Sequence, residues 1–102
     1  MISPRERRLV VDPAAAREVD AAVGWYDEQS EGLGLEFLRA ITAVFASVRR
    51  APQQFPRVRG QTRRALVRRF PYGVFFRETE TDVVVLAVVH AHRDPQVWQA
   101  RG

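Results

Sequence analysis

Residues 63–98, RRALVRRFPYGVFFRETETDVVVLAVVHAHRDPQVW, decide the architecture of this chain. Two apolar runs, residues 72–76 (YGVFF) and 83–89 (VVVLAVV), flank the polar segment Thr79-Glu80-Thr81-Asp82. That spacing predicts an antiparallel hairpin. The second run is apolar at every position, so both of its faces should be covered, as for a central strand packed by helices. Strict alternation puts Val84, Leu86 and Val88 on one face and Val83, Val85, Ala87 and Val89 on the other. The run ends in His90-Ala91-His92-Arg93-Asp94-Pro95, a cluster of ionisable groups at a strand terminus, where function is expected.

Upstream of the hairpin, residues 64–68 alternate Arg, Ala, Leu, Val, Arg and read as another strand, ended by Phe70-Pro71. Residues 52–60, PQQFPRVRG, read as an irregular basic loop. A helix is expected before that loop, starting near Gly34, with Leu35, Leu38, Ile41, Phe45 and Val48 on one stripe. Arg49 and Arg50 would close its last turn at the negative end of the dipole, and Pro52 prevents continuation. An earlier helix is announced by Asp12-Pro13, an N-cap followed by proline at the first helical position. Its apolar residues Val19, Ala22, Val23 and Tyr26 recur at helical spacing until Ser30-Glu31-Gly32 stops it. Residues 8–11, RLVV, form a short first strand. The expectation is an α+β fold of order β-α-α-β-β-β: an N-terminal strand, a helical hairpin, then a three-stranded antiparallel sheet. The helix stripes are core, and the chain of 102 residues is expected to be one domain, 1–102.

Composition narrows the chemistry. The chain has no cysteine, which excludes a disulfide framework, a zinc–thiolate site and a thiol nucleophile. All sixteen basic residues are arginine, so no lysine amine is available as nucleophile or base, whereas carboxylates and phosphates can be gripped bidentately. The net charge of +4 predicts an acidic partner, either nucleic acid or an acidic protein segment. No apolar run approaches the ~20 residues that span a bilayer, and the basic N-terminus lacks the apolar centre of a signal peptide. A cytoplasmic location and no membrane association are therefore expected. Two histidines without cysteine or a helical i, i+4 pair suggest no metal site. No glycine-rich phosphate loop occurs, since Gly32 and Gly34 flank a helix–helix turn.

The chain resembles the RelE/ParE superfamily of toxins from bacterial type II toxin–antitoxin modules. The features that carry the likeness are Trp25-Tyr26 late in the first helix, a second helix ending near Pro52, and residues 64–72 (RALVRRFPY). They continue with the strand 83–89 and the ending His90-x-x-Arg93-Asp94-Pro95-x-x-Trp98. The superfamily contains two activities: RelE-like members cleave messenger RNA on the ribosome, and ParE-like members poison DNA gyrase. RNases of the group carry an arginine where this chain has Gly73, and a terminal tyrosine or histidine where it has Trp98. Phe70-Pro71-Tyr72 and His90-x-x-Arg93-Asp94-Pro95 resemble the ParE branch.

The resemblance implies a gyrase-inhibiting toxin that acts by binding, without a cofactor. Its implied partner is a cognate ParD-like antitoxin with an acidic, amphipathic C-terminal segment, in a hetero-oligomeric complex. The alternative is a RelE-like ribosome-dependent mRNA endonuclease. Cleavage of RNA needs a base, an acid and cations for the phosphorane charge, and His90, His92 and Arg93 are the weaker candidates for those roles. Candidate contacts with antitoxin or target are Arg57, Arg59, Arg64 and Arg68, together with Trp25 and Tyr26 on the helical hairpin. Residues 57–69 are rich in arginine but lack interleaved stacking aromatics, which favours a protein partner over nucleic acid.

Overall fold

A computed structural model describes residues 7–91 and 95–101. Strand β1 (Arg8–Val11) leads into helix α1 (Pro13–Gln29), and helix α2 (Leu33–Arg50) returns antiparallel to it. A 3₁₀ turn (Pro52–Gln54) precedes strands β2 (Arg57–Arg59), β3 (Thr62–Leu66), β4 (Tyr72–Glu78) and β5 (Asp82–His90), and helix α3 (Pro95–Arg101) follows. The strands form one sheet in the order β1-β5-β4-β3-β2. β1 runs parallel to β5 and every other pairing is antiparallel, so the sheet is mixed.

Local chemistry sets the helix ends. Asp12 Oδ1 accepts the Ala14 N–H at 2.8 Å, and Pro13 occupies the first helical position. At the far end the Ser30 N–H donates to the Tyr26 carbonyl at 3.0 Å. Gly32 then turns the chain at φ 87, a conformation open to glycine. Asp27 Oδ1 accepts the Gly34 N–H at 2.8 Å, binding the end of α1 to the start of α2. A Cβ on Gly34 would stand 2.5 Å from the Val23 carbonyl oxygen, so the helices meet here at a distance only glycine allows.

Three features go beyond the sequence reading. Residues 57–59 form a short edge strand where a loop was expected, because Val58 packs onto the far face of the sheet. β3 covers residues 62–66 and stops at Leu66 instead of reaching Arg68, and Arg69 at φ 69 turns the chain into β4. Helix α3 closes the described chain and carries Trp98. His92 and Arg93 lie outside the described residues.

The core has two layers. Between the helices and the sheet lie Phe37, Ile41, Val48, Val74, Phe76, Val83, Val85 and Val88. On the opposite face Phe75, Ala87, Val89 and Trp98 form a smaller cluster under α3. β5 is therefore covered on both faces, but not with the expected alternation. Phe76 pairs with Val85 and Phe75 with Ala87, so Leu86 is an extra residue, a β-bulge. The bulge resets the phase: Val83 and Val85 face the helices, as does Val88 beyond it, while Ala87 and Val89 face α3.

Two substitutions test this packing. Phe37 is fully buried among Tyr26, Phe70 and Tyr72 at ring-centroid distances of 5.0–5.2 Å, and Phe37→Ala should lower unfolding free energy by about 3–5 kcal/mol. Gly34→Ala should cost about 1–3 kcal/mol by overpacking, although alanine is the better helix former. Urea denaturation followed by circular dichroism reads both.

Candidate partner-binding surfaces

The sequence-selected residues gather at two separate places. Trp25, Tyr26 and His90 meet in a pocket of about 480 Å³ between α1 and the ends of β4 and β5. Glu18, Ala22, Tyr72 and Val88 complete its wall. Trp25 is 53% exposed at the rim, whereas Tyr26 is buried and belongs mainly to the core. The Tyr26 ring lies 5.1 Å from Trp25 edge-on, 5.2 Å from Phe37 in a stack and 4.9 Å from Phe70. Burial first, and the neighbouring Tyr72 second, raise the Tyr26 hydroxyl above its ordinary pKa of 10.0. His90 ends β5 with its ring 6.1 Å from Tyr72, on the helix side of the sheet.

Glu18, which lines this pocket, and Arg101 are two residues that sequence reasoning passed over. β1 ends opposite Val85, so the β1 side of β5 beyond that point lacks a neighbouring strand. Glu18 Oε1 accepts the Val88 N–H at 3.0 Å and the Arg101 Nη1 at 2.8 Å. The same Arg101 nitrogen donates to the Leu86 carbonyl at 3.1 Å. Two side chains thus replace the missing strand at the bulge, and no local sequence pattern could announce a pairing 83 positions apart.

Arg57, Arg59 and Arg64 lie at the other end of the sheet on β2 and β3, and Arg68 lies just beyond β3. Arg57 is exposed, and Arg59 Nη1 donates to Gln99 Oε1 of α3 at 2.9 Å. Arg64 Nε is buried without a hydrogen-bond partner among the described residues. Arg68 borders a groove of about 350 Å³ between α2 and β3, lined by Ala40, Ala43, Val44, Ser47, Phe55 and Leu66. No described residues bring together three or more groups able to hold a metal ion.

Gly73 and Trp98, the two positions at which the resemblance sets this chain apart from the RNases, are both occupied by packing. A Cβ on Gly73 would stand 3.1 Å from the Phe75 ring and 3.4 Å from Arg64 Cγ, so those side chains fill the space above it. Trp98 is buried and stacked on Phe75, with ring centroids 4.6 Å apart and planes within 7°. An indole so placed holds α3 to the sheet and has no acid–base group to offer.

A strand, a helical hairpin and a mixed sheet backed by a short helix define a RelE/ParE-type toxin fold. The family model for the ParE toxin of the type II toxin–antitoxin system parDE matches residues 9–95, and the chain belongs to that family. Among solved structures it is similar to a chain of the chromosomal ParDE toxin–antitoxin system from P. aeruginosa, with a TM-score of 0.76 and 18% identity. That likeness covers 85% of this chain and 98% of the other, and it concerns the fold. No curated protein sequence matches the chain.

Trp98→Ala should lower stability by about 3–5 kcal/mol, while Trp25→Ala should leave unfolding within about 0.5 kcal/mol of wild type. Tyr26 supplies a pH test. Its folded-state pKa is raised, so the folded state holds the phenolic proton longer than the unfolded state does. Stability should therefore fall as pH rises above about 10, and Tyr26→Phe should remove that part of the slope in urea titrations.

Proposed function

We propose that this ParE-family toxin arrests growth by binding DNA gyrase and is neutralised by direct binding of a cognate ParD-like antitoxin. The toxin acts as a binding protein in the cytoplasm, where gyrase works. Its antitoxin contributes an acidic, amphipathic C-terminal segment that orders on the toxin, giving a hetero-oligomeric complex. Family membership supports this reading, as does the absence, among the described residues, of a helix long and apolar enough to cross a membrane. The observation that carries it is the packing of Gly73 and Trp98. Phosphate binding and acid–base catalysis would need a cation and a titratable group at those places, and both are filled by the Arg64 stem, Phe75 and the Trp98 indole.

Purified toxin should inhibit supercoiling by gyrase or trap its cleaved-DNA complex, and induction in cells should cause filamentation with messenger RNA intact. His90→Ala should change toxicity by less than about threefold, whereas a true RNase loses about 10²–10⁴-fold per acid–base group removed. Codon-positioned cuts in ribosome-bound message, lost in His90→Ala while gyrase stays active, would assign the chain to the RNase class instead.

A further inference from the structure

Helix α2 carries two large apolar residues outside the core. The spacing of the sequence puts Leu35 and Leu38 on one stripe with Ile41, Phe45 and Val48, but the buried residues of α2 are Gly34, Phe37, Ile41 and Val48. Gly34 sets that phase, because its close approach to Val23 and Asp27 turns this side of α2 onto α1. Leu35 is left 50% exposed and Leu38 40%. On the helical repeat they share an outward ridge with Thr42 and Ala46, which are also exposed. Thr42 brings no unmet polar group to it, since its hydroxyl donates to the Leu38 carbonyl at 2.8 Å. A contiguous apolar ridge of this kind marks an interaction site, where scattered single leucines would not.

Charges of opposite sign border the ridge on its two sides. Residues 12–36 hold seven acids and one arginine, whereas residues 37–77 hold ten arginines and no Asp or Glu. On the helical repeat Asp20 and Asp27 fall on the side of α1 that faces α2, and Arg39 falls beyond the leucines on α2. The helices run antiparallel and meet where Gly34 touches Val23 and Asp27. Arg39, farther along α2, therefore stands level with Asp20, as far back along α1. Both are exposed, and neither makes an ion pair among the described residues. Glu36, the one acid on α2, is held by Arg69 at 3.4 Å. A partner of a single sign, whether an acidic segment or a phosphate backbone, would meet repulsion along one margin. A second copy of the chain carries the matching pattern. A two-fold axis along the ridge sets the leucines of the two copies together and lays the Asp20 side of each over the Arg39 side of the other.

We infer that the outer face of the helical hairpin is a self-complementary interface through which two copies of this chain pair. Leu35 and Leu38 pack on their counterparts, Thr42 and Ala46 extend the contact, and two symmetric Asp20–Arg39 ion pairs close its flanks. Interfaces built on one helix ridge fall below the roughly 1,200 Å² of stable complexes, so the pair forms at micromolar or higher chain concentration. Trp25 lies on the opposite side of α1 and stays uncovered. The pairing stands independently of the target and of any antitoxin.

The test is sedimentation of the purified full-length chain over a concentration series, with circular dichroism melts as the check on folding. Wild type should pass from monomer to dimer as its concentration rises. Leu38→Glu should weaken pairing at least about tenfold, while Trp25→Ala should leave it unchanged. Asp20→Arg and Arg39→Asp should each weaken it as well, because each sets like charges opposite one another. An equimolar mixture of those two variants should recover the dimer, since the mixed pair has opposite charges at both flanks. Added salt should weaken the wild-type pair and relieve the single charge variants. Should Leu38→Glu fail to fold, the mixing experiment decides the matter. Wild type that stays monomeric at sub-millimolar concentration would overturn the inference, and so would a dimer indifferent to Leu38→Glu and to both charge reversals. A mixture no more dimeric than its components would exclude the two-fold arrangement and overturn it too. A monomeric chain whose binding to purified gyrase or antitoxin is lost in Leu38→Glu would give the ridge to that partner instead.

Discussion

β5 has to satisfy neighbours on four sides at once. It hydrogen-bonds to parallel β1 and antiparallel β4, and it buries one face under the helical hairpin and the other under α3. Each fully buried valine contributes about 1.5–3 kcal/mol, so this strand alone supplies a large part of a stability expected near 5–15 kcal/mol. The cost falls on its edge, because β1 pairs only with residues 82–85 and the strand runs on to His90. Bare strand edges invite pairing with other chains. Here Glu18 and Arg101 take the Val88 N–H and Leu86 carbonyl that β1 does not reach, which binds α1, β5 and α3 into one unit.

That arrangement explains why the candidate surfaces sit where they do. The aromatic pocket exists because β5 outruns β1, leaving space beside α1 that Trp25 rims and Tyr26 floors. The arginine-bordered groove exists because β2 covers only the first part of β3, leaving Leu66, paired with β4, without a strand on its other side. Both openings are places where one strand outlasts its partner. They stand at opposite ends of the sheet.

The sequence displayed the parts of this fold governed by short-range chemistry. Asp12-Pro13 marked the start of α1, Pro52 the end of α2, and the polar segment at residues 79–82 the hairpin, because caps, prolines and turns act within a few residues. Long-range effects stayed hidden. The run 83–89 is apolar throughout, so nothing in it marked Leu86 as the residue where alternation resets. The three residues of β2 carry too little pattern to separate a strand from a basic loop, and they pair only because β3 is already in place. Arg57, Arg59, Arg64 and Arg68 were found by composition, yet only the structure separates Arg59, bonded to α3, from Arg68, beside an apolar groove. Glu18 reads as an ordinary helix residue until the bulge supplies an N–H for it.

The far face of the sheet carries a second, smaller packing problem. In this chain Gly73 lets the Arg64 stem and the Phe75 ring close over the strand, and Trp98 lies flat on that ring. The same positions thus make a second small core, which anchors a helix of only seven residues. A helix that short has little stability of its own. Its packing therefore depends on the aromatic stack and on Arg101, and a polar, solvated catalytic group at position 98 would give up the contact that holds it. In this sequence Gly73 and Trp98 both serve the packing of α3 on the sheet.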